Sequence, residues 1–549
     1  MHLSIKKSKL FILALAVICF TGCKSIKQPE NVYTPLDYTN QDVIENELNF
    51  IRSLEGKENT KALFRACLMG QNGYDTGIIE ECVVLVKQQA EQALEKKDFV
   101  GAMTAYKSLA SCGIDTTNNL AAYEECKNQY YADIPGFTRD AEKLPASIAD
   151  CINATVSVWV DQGYKVENGA GYADIVIGSG FFIDRRGYII TNHHVIAEMV
   201  NPKRKNSCKL YIKLPSDMEK KIPARVVGYD SLMDLALLKA EIDPDFVFEL
   251  GASSDLAVGD SISVIGTPIG LEGTLTSGII SSASRQLFTM GKSFQIDAAV
   301  NSGNSGGPII DSNKKVQAIV FAGMLQYQGL NFAIPIEYLK QELPLLYRGG
   351  EIVHNWTAAY GHDYKIRNEK KGLEVQYVMP GGTASLSGLK IDDIIVSADG
   401  NDVTSLEEFQ YLCMRYEPGT IINCRYIHNG ENGEETKECL LYLEKRPAAP
   451  LKQIFESDFV DDSFIPIFGI KMVRSSTTNK KLYKIEYVLE GSTADQNGFS
   501  ENDSLELRDV AFSDESNVFG ALVVVQRRKK GFLDISLQLL SSYDNPNYF

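Results

Sequence analysis

Asn301-Ser302-Gly303-Asn304-Ser305-Gly306-Gly307-Pro308 is the stretch from which this 549-residue sequence is best read. A serine hydroxyl is a poor nucleophile until a base takes its proton and fixed donors hold the oxyanion that forms. Glycines beside Ser305 suit that geometry, because a backbone without Cβ can turn its N–H groups toward one point next to the hydroxyl. Two other segments carry what a serine lacks. Upstream stand Gly178-Ser179-Gly180-Phe181-Phe182-Ile183-Asp184 and Gly187-Tyr188-Ile189-Ile190-Thr191-Asn192-His193-His194-Val195. Between these and the serine lies Asp234-Leu235-Ala236-Leu237-Leu238.

The order His, Asp, Ser is that of chymotrypsin-like enzymes, not of subtilisins or α/β-hydrolases. Residues 146–445 resemble the HtrA/Deg family of trypsin-fold serine proteases through these motifs. Further matches are Ile265-Gly266-Thr267-Pro268-Ile269-Gly270, Thr276-Ser277-Gly278-Ile279-Ile280-Ser281 and Asn331-Phe332-Ala333-Ile334-Pro335. The resemblance implies a nucleophile at Ser305, a base at His194 and an orienting carboxylate at Asp234, with the N–H groups of Gly303 and Ser305 forming the oxyanion hole. His193 is expected to be a neighbour on the opposite strand face, and Asp230, after Gly228-Tyr229, a turn residue. Gly-x-Ser-Gly-Gly alone is often only a turn, and the competing reading of the whole is a pseudoprotease.

Length suggests three to four domains. The formal charge of −16 opposes nucleic-acid binding, which depends on basic side chains at phosphates. The basic runs Lys203-Arg204-Lys205 and Arg527-Arg528-Lys529-Lys530 read as solvated turns. Lys6, Lys7 and Lys9 precede an apolar run at 10–20, too short to span a bilayer and suited to a signal peptide. That run ends in Phe20-Thr21-Gly22-Cys23, which resembles a bacterial lipobox and makes Cys23 the expected lipidation site. The expectation is a signal peptide at 1–22 and a polar tether at 23–45, with the chain facing the periplasm or the cell surface. Nine cysteines remain after Cys19 and Cys23, and Cys67 with Cys82 and Cys112 with Cys126 are candidate pairs. No zinc-like cluster of Cys and His stands out, and no metal or cofactor is expected.

Residues 46–145 read as helical. Val83, Val86, Ala90, Ala93 and Leu94 mark one face, Lys96-Lys97-Asp98 breaks it, and Phe99, Ala102, Tyr106 and Leu109 begin another. The segment 90–109 looks like part of a tetratricopeptide repeat, and a plain helical hairpin fits it equally. Residues 146–347 alternate short apolar runs with Gly-rich turns, the pattern of an all-β domain. The resemblance makes it a trypsin-like double β-barrel with its site in the cleft. The fold class is therefore mainly β: that barrel pair followed by two PDZ domains, at 352–446 and 453–549, and preceded by the helical region.

The PDZ reading comes from an internal repeat. Gly381-Gly382-Thr383-Ala384, Gly388-Leu389 and Asp392-Asp393 recur 110 residues later as Gly491-Ser492-Thr493-Ala494, Gly498-Phe499 and Asn502-Asp503. Both copies resemble the centre of PDZ domains, which add a peptide strand to an open sheet edge and capture its carboxylate. Phe468-Gly469-Ile470 looks like the carboxylate loop of the second copy, and Tyr360-Gly361-His362 stands in roughly that place in the first, where His362 breaks the apolar pattern. Arg446-Pro447-Ala448-Ala449-Pro450 reads as a linker.

Three functions follow. One is a lipid-anchored envelope endopeptidase for unfolded or damaged polypeptides, with C-terminal peptides as PDZ ligands and, by resemblance, a homotrimeric or larger assembly. The second is a regulatory protease switched by a PDZ ligand. The third is a non-enzymatic chaperone or scaffold. Specificity loops are expected around 325–331.

Overall fold

The computed structural model describes residues 29 and 32–549, apart from 75–76, 138–139, 168–169, 205–206, 268–272, 286–289, 302, 324–329, 431–432, 477–480 and 528–532. The expected signal, Cys23, the turn at 268–270 and most of the specificity loop lie outside the described residues. Among them, no helix is long and apolar enough to cross a membrane.

The helical region is five helices, Gln41–Leu54, Asn59–Gln71, Ile78–Glu95, Phe99–Ser111 and Thr116–Tyr131. The first begins inside the expected tether because Asn40 caps it, its side chain accepting from Asp42 N at 2.9 Å. Val86, Ala90 and Ala93 are buried as their spacing predicts. The break falls where expected: Lys97 takes a left-handed φ of 58°. Asp98 then accepts from Gly101 N at 3.0 Å to start the next helix. Both expected cysteine pairs are corrected. All nine described cysteines are free thiols. Cys67 meets Cys112 rather than Cys82, because the second and fourth helices turn these residues into one core. Cys424 sits across a strand pair from Cys439.

Residues 155–335 close into two six-stranded rings, the first of them extended by the short strand Gly350–Glu351 beside Asp217–Asp230. In the first, Asp217–Asp230, Lys209–Leu214, Thr155–Glu167, Ala170–Asp184, Tyr188–Thr191 and Leu235–Ala240 pair in that order, and the last strand returns to the first. The second is a closed barrel of Pro308–Ile310, Val316–Gly323, Asn331–Pro335, Ser293–Ile296, Thr274–Arg285 and Ser261–Gly266. Closure leaves no free edge within either ring, and inward aliphatic side chains fill each core. A third apolar cluster, including Phe181, Leu235, Ile265 and Ile310, lies between the barrels and fixes them together.

The first repeat is a sheet of Ala359–Ile366, Glu369–Val378, Ile394–Ala398, Ile421–Gly430 and Gly433–Tyr442, with the helix Leu406–Cys413 inserted before its fourth strand. The second is a sheet of Ile470–Arg474, Leu482–Val488, Ser504–Ser513, Val518–Arg527 and Leu533–Ser542. The repeat is structural. Val375 N donates to Asp393 O at 2.9 Å and Asp392 N to Val375 O at 2.8 Å, while Ile485 N donates to Asp503 O at 3.0 Å and Asn502 N to Ile485 O at 2.9 Å.

This register leaves Phe468-Gly469-Ile470 in place and moves the matching turn of the first copy. Gly469 O accepts from Leu489 N at 2.9 Å, and the matching acceptor for Met379 N, also at 2.9 Å, is Ala358 O. The first loop is thus centred on Ala358, which takes the left-handed φ of 63° where the second copy has Gly469 at 79°. Tyr360-Gly361-His362 lies further on, inside the first strand. In the second copy Phe468 ends a helix, Gly469 caps it and Ile470 opens a strand, with Phe468 and Ile470 both buried. That copy also passes from Ser513 to Val518 through a turn, without a counterpart of Leu406–Cys413 to wall a groove. Instead the helices Pro450–Ser457 and Val460–Phe468 fill its core. The expected linker is not a free one: Arg446 is buried and pairs with Asp544 at 2.6 Å.

The helical region docks on its neighbours. Ser108 Oγ accepts from Ile421 N of the first repeat at 3.1 Å, and Phe64 stacks on Tyr442 at 5.6 Å. Tyr130 donates its hydroxyl proton to Pro344 O at 2.7 Å, at the end of the protease region.

Candidate active site

The strand Tyr188–Thr191 ends at Asn192, and the chain turns into the helix His193–Val200. Both histidines therefore open a helix, not a strand, and the argument from opposite strand faces does not apply to them. Consecutive helical positions still diverge. His193 stacks on Tyr229 at 5.3 Å. His194 turns to Asp234, its Nδ1 lying 2.7 Å from Oδ2.

Asp234 is gripped as well as gripping. Its Oδ1 accepts from His194 N at 2.8 Å, and its carbonyl accepts from Asn192 Nδ2 at 2.9 Å and His193 N at 3.2 Å. Its φ of 58° is left-handed, a conformation that aspartate tolerates better than most residues. Asp234 thus ties the histidine turn to the first barrel by backbone and side chain together. Burial lowers the His194 pKa, but the Asp234 charge and its hydrogen bond outweigh it, and the net shift is upward. For His193 burial wins over the pull of Asp234 and Asp230, and the net shift is downward.

Ser305 sits at the entry to the second barrel, on a turn shaped by Gly303 at φ 103° and Gly306 at 85°. A Cβ on Gly306 would stand 2.2 Å from Ser179 O and 2.4 Å from Thr191 Oγ1, so only glycine lets the two barrels meet there. The Ser305 hydroxyl donates to Phe321 O at 3.4 Å. Among the described residues, no hydrogen bond joins it to His194.

Ser179 was quoted in the sequence motif without a role. Its hydroxyl donates to Gly303 O at 2.6 Å and accepts from Thr267 N at 2.9 Å, while its backbone N donates to Ser305 O at 2.8 Å. Its own carbonyl accepts from Thr191 Oγ1 at 2.7 Å. One serine therefore joins four motif segments. The signal was its recurrence beside glycines in Gly178-Ser179-Gly180, but periodicity does not reveal such a network.

Asp230 does make a turn, its Oδ1 accepting from Leu232 N at 2.7 Å and Met233 N at 3.1 Å. Its Oδ2 also meets His354 Nε2 at 2.6 Å, beside Glu342, with all three residues buried. Burial opposes the Asp230 charge, but His354, a proton from Glu342 and the Met233 N–H together hold its pKa below the ordinary value. Burial and the Asp230 charge push the Glu342 carboxyl well upward. The trio pins the end of the protease region to the start of the first repeat. His354 and Glu342 are too far away in sequence for any motif to link them with Asp230.

Comparison with known proteins places these elements. Residues 178–319 match the trypsin-like peptidase domain, 364–436 the PDZ domain and 451–543 the TP0546 family PDZ domain. Residues 42–127 match a domain of unknown function, DUF8517. A probable periplasmic serine endoprotease, DegP-like, of Hahella chejuensis is 32% identical over 267 residues, covering 46% of this chain and 55% of its own length. The like-named protein of Chlamydia trachomatis is 30% identical over 275 residues, covering 48% of this chain and 53% of its own. The chain spans about half the length of the curated relatives it matches. Among solved structures, an HtrA-type protease AlgW with decapeptide aligns over 55% of this chain and 99% of its own at 24% identity, with a TM-score of 0.44.

Proposed function

We propose that this chain, with its trypsin-like and PDZ domain matches, is an HtrA/Deg-type serine endopeptidase of the bacterial cell envelope acting on unfolded or damaged polypeptides. The observation that carries the proposal is the doubly held His194–Asp234 pair, built on the first barrel opposite the glycine turn of Ser305 on the second.

In this mechanism Asp234 keeps the His194 Nδ1 proton in place, leaving Nε2 as the base. For this Ser305 Oγ must leave Phe321 O and reach that nitrogen. Oγ then attacks the substrate carbonyl while His194 takes its proton, and the oxyanion is held by the N–H groups of Gly303 and Ser305. His194 next protonates the leaving amine, and water repeats the sequence to free the acyl group. Ser179, gripping Gly303 O, and the Ser179 N–H, gripping Ser305 O, hold that turn to the first barrel. Anchoring through a lipid on Cys23, facing the periplasm or cell surface, and assembly as a homotrimer or larger oligomer complete the proposal.

The contact of Ser305 with Phe321 O also favours the regulatory reading, in which a ligand elsewhere completes the site. The test uses protein starting after Cys23, wild type beside Ser305→Ala, each incubated with reduced casein. Fragments from wild type alone support the endopeptidase. Cleavage by neither, with or without added peptides, leaves the scaffold.

A further inference from the structure

The strand Ala359–Ile366 is the edge of the first PDZ sheet, paired with Glu369–Val378 on one side only. Its other side is taken by residues 545–549 of the same chain. Tyr360 and Tyr548 form an antiparallel bridge. Phe549 N donates to Ala359 O at 3.0 Å, Ala359 N to Phe549 O at 3.2 Å, and Gly361 N to Asn547 O at 3.1 Å. The contact begins immediately after Ala358, the centre of the carboxylate loop. From the opposite wall, Gln410 on the helix Leu406–Cys413 donates through Nε2 to Pro546 O at 2.8 Å and Tyr548 O at 3.0 Å.

Side chains alternate as strand geometry requires. Phe549 points into the first PDZ core, edge-on to Phe409 at 5.3 Å and clustered with Leu373 and Val375. Gly361 makes room for it, since a Cβ there would lie 3.0 Å from the Phe549 ring. Tyr548 points the other way, among Trp356, Ala358, Ile454 and Ile465, and reaches the helices of the second repeat.

Strand addition between a sheet edge and a helix is how PDZ domains take peptides. We propose that the groove between residues 358–361 and Gln410 is a peptide-recognition site selective for an Asn-Tyr-Phe-type sequence with an aromatic residue facing Phe409, and that residues 545–549 occupy it in cis as a displaceable ligand. The occupant also straps the second repeat to the first. The second repeat, without a wall helix, is the strap's carrier and not a second such groove. The proposal rests on the PDZ reading of 359–442 and is independent of chemistry at Ser305.

The test uses residues 24–549 carrying Ser305→Ala, so that no peptide is cut and a failure here leaves the casein assay untouched. The probe is a fluorescent hexapeptide of residues 544–549, followed by anisotropy. Adding Tyr548→Ser with Phe549→Ser is expected to tighten probe binding about tenfold or more, because the tethered competitor is gone. Further adding Gln410→Ala is expected to reverse that gain, and a probe with serine in place of phenylalanine to bind neither protein. Equal binding by parent and double variant, with far-UV circular dichroism unchanged, would overturn the proposal. Hydrogen exchange on the chain without the tail substitutions gives an independent reading. Saturating probe is expected to speed exchange at the Phe549 amide while the Ala359 and Gly361 amides stay protected. No change at Phe549 at saturating probe also overturns it.

Discussion

The Ser179 hydroxyl donates to the carbonyl of Gly303 at 2.6 Å, crossing from the first barrel to the turn that carries Ser305 in the second. Removing it by Ser179→Ala strands two buried groups, the Gly303 carbonyl and the Thr267 N–H that Ser179 also accepts. The expected stability loss is about 1–3 kcal/mol, read by denaturant unfolding. The expected fall in kcat is about 10²-fold with little change in KM, because the turn is displaced and not the substrate-binding cleft. An unchanged kcat would remove Ser179 from the positioning network.

Asp234→Asn keeps the shape of the site but exchanges the group that fixes the His194 tautomer. The expected loss is about 10⁴-fold in kcat, as for this change in the serine-protease template. A pH profile adds a separate readout. Neutral His194 is the working base, so activity falls as pH drops through its pKa. Asp234 raises that pKa above the ordinary 6.5, so the acid limb of kcat/KM is expected above 6.5 in the wild type and lower in the variant.

His354→Ala and Glu342→Gln probe the two neighbours of the buried Asp230 carboxylate. Loss of His354 removes the 2.6 Å partner of the buried Asp230 carboxylate, an expected cost of about 1–3 kcal/mol in unfolding free energy. Burial and the Asp230 charge push the Glu342 carboxyl well upward, and an amide in its place carries no charge, so the second change is expected to cost less, about 1 kcal/mol. Equal costs would contradict the upward shift of Glu342.

Burial raises Asp458 from 3.8 to about 6, against the opposing hydrogen bond that Tyr377 donates at 2.9 Å. Between those values the native chain binds more protons than the unfolded one. The stabilisation is therefore full below pH 3.8 and lost as pH rises through about 6. Asp458→Asn imitates the protonated form. Its melting temperature is expected to exceed the wild type's at pH 8 and to match it near pH 4.

Short motifs made the candidate site legible. Asp234, His194 and Ser305 were picked out because each stands in a motif with a fixed set of glycine and small neighbours, and the first two do meet. The barrels were legible from alternating apolar runs, and the repeat from glycines that recur where the backbone turns left-handed. What stayed hidden depends on side chains meeting across long sequence distances. His354 reaches Asp230, Cys67 reaches Cys112 and Phe549 reaches Ala359, and local propensity encodes none of these contacts. The first carboxylate loop was misplaced because Ala358 adopts the left-handed turn that a reader of sequence assigns to glycine, and Gly361 stood nearby to mislead.

Residues 545–549 are joined to the groove they fill by an unbroken chain. A tethered occupant acts at an effective concentration of order millimolar, set by the tether and not by the cell. A free peptide of equal intrinsic affinity must approach that concentration before it holds the groove half the time. The strap thus behaves as a threshold: peptides of that sequence at low concentration leave the groove as it is, while the same peptides near that concentration open it.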